Sequence, residues 1–113
     1  MDRSYSPANR ILRLRLMAKT VAEALWMNKV ASLGCVICRK VYGKYVPCEI
    51  HHVAEGSGVR SDFSIAPLCK EHHTGASGFH KRGKLFLKQF RVPGESEYGL
   101  LVMVNEQIAE GMR

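Results

Sequence analysis

Apolar residues at Ile11, Leu12, Leu14, Leu16, Val21, Leu25 and Val30 recur among Arg10, Arg13, Arg15, Lys19 and Lys29. That spacing predicts one long helix, or two in sequence. Ser6-Pro7 supplies a start signal, a capping hydroxyl followed by proline in the first turn, and Leu33-Gly34 supplies a stop. The pattern then changes. Tyr45-Val46-Pro47-Cys48-Glu49-Ile50 is β-branched and aromatic, with a proline that disfavours helix, and Phe63-Ser64-Ile65-Ala66-Pro67-Leu68 reads the same way. Two short strands are predicted, over about 44–53 and 62–68, separated by the glycine- and serine-rich loop Ala54–Ser61. Residues 70–80 begin as a helical turn that Gly75 and Gly78 interrupt, and Lys84–Arg91 resumes a helical pattern. Pro93-Gly94 breaks it, and Ser96 can cap a last helix running to about Ala109.

A length of 113 residues is that of one domain. An apolar content of 46% supports a core, though a modest one, and small domains with modest cores often lean on a metal. No run of about 18 apolar residues is available to span a membrane. The alternation of Arg and Leu near the N-terminus lacks the uninterrupted apolar stretch of a secretory signal. The expectation is an intracellular protein, in which four cysteines read as metal ligands rather than disulfides. Net charge is +7, divided as +4 over residues 1–33, +6 over 34–94 and −3 over 95–113. A positive field over the centre and the N-terminal arm points to a polyanion, and nucleic acid fits it better than a membrane surface.

The chemistry is concentrated between residues 35 and 80. Cys35-x-x-Cys38 and Cys69-x-x-His72, thirty residues apart, form two half-sites whose two-residue gaps let each pair of side chains converge on one ion. Three thiolates and an imidazole suit a closed, tetrahedral structural Zn²⁺. A redox Cys-x-x-Cys would lack its βαβ setting and leave Cys69-x-x-His72 unexplained. Cys48 fits neither half-site and reads as a small buried hydrophobe. His51, His52, His73 and His80 remain. Neighbouring side chains on a strand face opposite sides, so His51 and His52 divide between two tasks, as do His72 and His73. A free imidazole beside a bound divalent cation is what a hydrolytic site requires.

The string Cys35-Val36-Ile37-Cys38, Glu49-Ile50-His51-His52-Val53 and Pro67-Leu68-Cys69-x-x-His72-His73 resembles the zinc-bearing HNH branch of the ββα-metal endonucleases. With Gly75, Gly78 and His80, it is most similar to the phage-encoded RecA-dependent nucleases of the Ref family. The resemblance covers residues 30–100 or so and leaves the N-terminal arm outside it. It implies that His52 activates water, that His51, His73 and His80 hold a catalytic ion (Mg²⁺ or another divalent metal), and that Cys35, Cys38, Cys69 and His72 hold the structural zinc. It also implies cleavage of DNA phosphodiesters, a RecA–single-stranded DNA filament as partner, and residence in the cytoplasm of a bacterial or phage-infected cell. One departure stands out. The asparagine of the HNH pattern would lie five residues before the third cysteine, where this chain has Ser64, with Asp62 nearby.

The expected architecture is therefore α+β: a ββα-metal (His-Me finger) core with a structural zinc knuckle, flanked by N- and C-terminal helices. Residues 1–33 form a basic helical arm and 34–113 the nuclease domain. Arg60, Lys81, Arg82, Lys84 and Lys88 are placed to meet phosphates, and no residue stands out as a base reader. The alternative reading is a non-catalytic zinc module that binds DNA or serves as a recombinase adaptor.

Overall fold

The structure, a computed structural model, describes residues 19–54 and 60–112. The Ser6-Pro7 cap, the apolar positions from Ile11 to Leu16 and most of the glycine- and serine-rich loop lie outside them.

The first described helix, α1, spans Val21–Ala31. Its start is set by a capping box: Thr20 accepts from the Glu23 amide, while Glu23 reaches back to the Thr20 amide. Two otherwise orphaned N–H groups are satisfied in this way. Thr20 is extended (ψ 164°), so no single helix runs through this point. Gly34 then turns the chain with φ +69°. A Cβ there would meet the Val46 carbonyl at 2.7 Å and the Tyr45 ring at 2.8 Å, so glycine is required twice over. The turn after it includes a π-turn over Cys38–Tyr42 that ends on Gly43 in the left-handed region.

Strands β1 (Glu49–His52) and β2 (Ile65–Leu68) pair antiparallel, with His51 opposite Ala66 and His52 opposite Ile65. Both are shorter than the sequence suggests. Residues 45–48 stay extended but unpaired, and the chain turns over 62–64 before entering β2. Ser64 extends the ladder by one rung: its amide-side neighbour Val53 donates to the Ser64 carbonyl, and the Ser64 hydroxyl donates to the Val53 carbonyl at 2.7 Å. Helix α2 (Lys70–His73) begins directly after β2, with Cys69 as its extended cap. Short helices α3 (Phe79–Arg82) and α4 (Lys84–Gln89) replace one interrupted helix, because Gly83 departs from helical geometry with φ +53°. The last helix, α5, spans Gly99–Gly111. Its cap position falls on Tyr98 rather than Ser96, whose hydroxyl instead accepts from the Tyr98 amide.

β2 is the centre of the core and is buried along its whole length, packed by α1 and α5. Val30, Val36, Ile37, Ile65, Leu68, Phe86, Leu100 and Val104 are shielded almost completely from water. Each apolar side chain so buried contributes roughly 1.5–3 kcal/mol before entropy is counted. Gln107 of α5 donates to the Val36 carbonyl at 3.1 Å, tying the last helix to the turn between the first two cysteines. Gly34→Ala is expected to lower stability by about 2–3 kcal/mol, because it combines a left-handed backbone with a clash against backbone oxygen. A thermal melt unchanged within a degree would refute that account of the turn.

Candidate metal centres

Two groups of donors form, and the sheet–helix junction separates them. Cys35 and Cys38 come from the turn after α1, Cys69 from the end of β2, and His72 from α2; all four are buried. His72 Nδ1 lies 3.5, 3.5 and 3.3 Å from the sulfurs of Cys35, Cys38 and Cys69, and the Cys38 and Cys69 sulfurs are 3.9 Å apart. Metal–donor bonds of zinc length place tetrahedral ligands at separations of about 3.8 Å for S–S and about 3.6 Å for S–N. The group could therefore hold a zinc ion as it stands. Its electrostatics favour one as well. Burial, with repulsion from Cys35 and Cys69, pushes the Cys38 thiol up to about 12, and burial also raises Cys35. Burial holds the His72 imidazole on the neutral side. A dication is the partner that makes such thiolates tenable. Cys48 stands outside this group, half-buried, with its thiol donating to the Ala31 carbonyl at 3.6 Å.

The second group is His51, His73 and His80, whose candidate ligand atoms lie within 4.8 Å of one another. His72 and His73 are successive residues of a helix and so point about 100° apart, one to each group. His80 arrives from α3. Gly75 and Gly78 permit this, since a Cβ on Gly78 would meet the His73 carbonyl oxygen at 2.8 Å. His80 Nε2 is 3.1 Å from His73 Nε2. Ring nitrogens bound to one ion at ordinary metal–imidazole distances stand about 3.0–3.4 Å apart, so this pair too fits a shared ion.

Carboxylates occupy the outer ring nitrogens. Glu49 accepts from His73 Nδ1 at 2.9 Å, and the buried Glu97 lies 2.5 Å from His51 Nε2. Burial, reinforced by His73 and His80, lowers the His51 pKa against the opposing pull of Glu97. A neutral imidazole with one nitrogen tied to a carboxylate is the usual state of a metal-binding histidine.

His52 points away from His51 but lines the same cleft of about 390 Å³, together with Ile50, His51, Ala54, Arg60, His73 and His80. Its Nε2 lies 2.7 Å from Asp62 Oδ1, and its Nδ1 lies 3.0 Å from the Arg60 guanidinium. The Asp62 carboxylate is held below its ordinary range first by the His52 hydrogen bond, then by Lys19 and Arg60. Lys19 Nζ is 3.9 Å from Asp62 Oδ2. Lys81, Lys84 and Lys88 are exposed, and Arg82, half-buried, bonds Gln89. A second cleft, lined by Arg39, Lys40, Met103, Glu106, Gln107 and Glu110, contains neither histidine nor cysteine.

The sequence reading missed Glu49, Glu97 and Lys19 as neighbours of the site. Glu49 carried a signal, since it lies two residues before His51 on the same face of a strand. Glu97 carried none: it belongs to the acidic tail, 46 residues away from its partner.

Fold and donors together define a small α+β protein with a two-stranded sheet and a Cys₃His group able to hold a metal. The family described as recombination enhancement, RecA-dependent nuclease, matches residues 19–108, and the chain belongs to it. Neither the curated proteins nor the solved structures compared with it include a significant match. Among the described residues no helix is long and apolar enough to cross a membrane.

Purified protein is expected to hold at least one zinc ion through chelator-free steps, and Cys38→Ser to lose it and melt far lower. Retention of zinc and melting temperature in that variant would exclude this group as the site. Zinc uptake by the metal-free chain is also expected to release at least two protons at pH 7, from Cys35 and Cys38, so its affinity falls as pH falls. Calorimetry in buffers of different ionisation enthalpy measures that number.

Proposed function

We propose that this protein is a metal-dependent DNA endonuclease of HNH type with a ββα-metal core formed by β1, β2 and α2. The observation that carries the reading is one cleft lined by His51, His73 and His80 on one side and by His52, tied to a carboxylate, on the other. A stand-alone zinc module needs neither the second donor group nor the tethered fourth histidine. The Cys₃His group is the structural zinc knuckle. In this reading residues 1–33 are a basic arm, of which the α1 portion is seated on the core, and 34–113 form the nuclease domain.

His51, His73 and His80 would hold a divalent ion, which when bound would supply Lewis-acid stabilisation of the charge that develops during cleavage. Three imidazoles suit a transition metal, whereas Mg²⁺ would rely on water and phosphate oxygens for most of its shell. His52 is the general base. Asp62 accepts the Nε2 proton of His52, which makes Nδ1 the basic nitrogen, and that atom takes a proton from water as the water oxygen forms its bond to phosphorus. The P–O bond to the leaving sugar oxygen breaks in the same displacement. Arg60 now donates to Nδ1, and an entering phosphate gives the guanidinium an anionic partner in its place. Ser64 stands where the family pattern has asparagine and straps the two strands together through the Val53 carbonyl.

Lys81, Arg82, Lys84 and Lys88, with Arg60, supply phosphate contacts independent of base sequence. Specificity is then left to a partner, and the RecA dependence carried in the family's description makes a RecA–DNA filament the natural one.

The test compares wild type with His52→Ala on supercoiled and single-stranded DNA. Mg²⁺ or Mn²⁺ is added, with and without RecA and ATP, and zinc content and melting are followed in parallel. Nicking by wild type is expected to fall by at least about 100-fold in the variant, with zinc and fold retained. An inactive wild type under every condition would sink the enzyme reading, and equal cleavage by the variant would sink the role of His52.

A further inference from the structure

The chain between α4 and α5 is unusually strained. Arg91 (φ 52°), Gly94 (φ 69°) and Glu95 (φ 48°) all occupy the left-handed region within five residues. Two of the three carry side chains, for which that conformation is costly. The segment is also packed to its limit: a Cβ on Gly99 would collide with the Pro93 carbonyl and meet the Val92 side chain at 2.7 Å. Two successive side chains that follow this segment reach β1 and the residues just after it. The Tyr98 hydroxyl donates to the Ala54 carbonyl at 3.4 Å, and the Glu97 carboxylate reaches His51.

Glu97 is only 8% exposed and His51 only 3%. A carboxylate so placed is costly unless a donor meets it, and the His51 ring N–H is such a donor. Glu97 is not among the residues whose ligand atoms cluster with His73 and His80. It stands behind His51, outside that donor group. With Nε2 engaged, Nδ1 is the nitrogen that His51 has left to offer. Glu49 does the equivalent for His73, but from a half-exposed position at the rim.

We infer that Glu97 is a positioning residue of the second metal centre: its carboxylate fixes His51 as the Nε2–H tautomer and turns Nδ1 toward the ion shared with His73 and His80. The inference rests on the reading of that histidine group as a metal site. It makes the start of α5 part of the active centre. The C-terminal helix then does more than close the core, since its entry turn sets the ligand field of a strand 46 residues earlier in the chain.

The experiment titrates protein adjusted to one zinc ion per chain with Mn²⁺, followed by the electron paramagnetic resonance of the free ion. Mn²⁺ is the weakest competitor of the first-row divalent ions and leaves thiolate-bound zinc in place. Wild type, His73→Ala, Glu97→Gln and Glu97→Ala are compared, and nitrogen-15 spectra report the His51 tautomer in the absence of Mn²⁺. The expectation is a 10–100-fold loss of Mn²⁺ affinity in Glu97→Ala and a smaller loss in Glu97→Gln, which keeps an acceptor oxygen. A mixture of His51 tautomers should appear in both, while knuckle zinc stays at the wild-type level. If Glu97→Ala does not fold, Glu97→Gln alone decides. Wild-type affinity and a single unchanged tautomer in the Glu97 variants, alongside loss of binding in His73→Ala, would overturn this inference and leave the metal-site reading intact. Absence of Mn²⁺ binding in wild type, or no effect of His73→Ala, would overturn the metal-site reading itself.

Discussion

The convergence of Cys35, Cys38, Cys69 and His72 is the constraint on which the rest of the structure depends. It closes a loop of more than thirty residues and joins the turn after α1 to the junction between β2 and α2. A core built from Val30, Val36, Ile37, Ile65, Leu68, Phe86, Leu100 and Val104 is small for a chain with so many loops. A dication bound there would supply the missing cohesion, since burial and mutual repulsion otherwise hold these groups as protonated thiols. The same junction also fixes the second site. His72 enters the knuckle, so the helix geometry sends His73 into the cleft. The Cys₃His group and the histidine cleft thus share one turn of helix.

A chain of aromatic rings connects the two donor groups. His72 lies against Phe90 and Phe86, Phe86 lies against Phe79, and Phe79 lies against His51, at centroid separations between 5.0 and 6.2 Å. Such edge-to-face contacts hold ring orientations more tightly than featureless apolar packing does. Every histidine of β1 and α2 outside the knuckle also has a carboxylate on one nitrogen: Glu97 for His51, Asp62 for His52, Glu49 for His73. The three pairs differ in burial, and with it in how firmly each can hold. His51–Glu97 is enclosed, His52–Asp62 partly open, and His73–Glu49 at the rim. On the proposed reading His51 would be the rigid ligand and His52 the more open base, a division suited to a site that admits a phosphate.

The sequence determined the local features. Cys-x-x-Cys and Cys-x-x-His are readable because a tight turn converts two intervening residues into convergence, whatever the rest of the chain does. The order of helix, two strands and helices followed from periodicity, and Gly34, Gly75 and Gly78 marked close approaches of backbone. Some local information was present but passed over. Thr20-Val-Ala-Glu23 is a capping box in plain text, and it fixes a helix start that the apolar pattern left open between one long helix and two in sequence. Strand ends were overdrawn, because pairing stops where the partner turns away, and residue type alone does not record that.

Only the tertiary structure decided who stands behind each histidine. Alternation along β1 divides His51 from His52, yet it does not say that Glu97 closes on one and Asp62 on the other. Those partners depend on a left-handed turn at Arg91–Glu95 and on a bend before β2, neither of which has a periodic signature. Position 64 shows the same limit. As a letter, Ser64 is a departure from the HNH pattern that the sequence resembles; in the fold it is a strap on the Val53 carbonyl, and the contact to His52 comes from Asp62. Donor identity is written in the chain, but donor direction is set by long-range packing that brings distant backbone within hydrogen-bond reach.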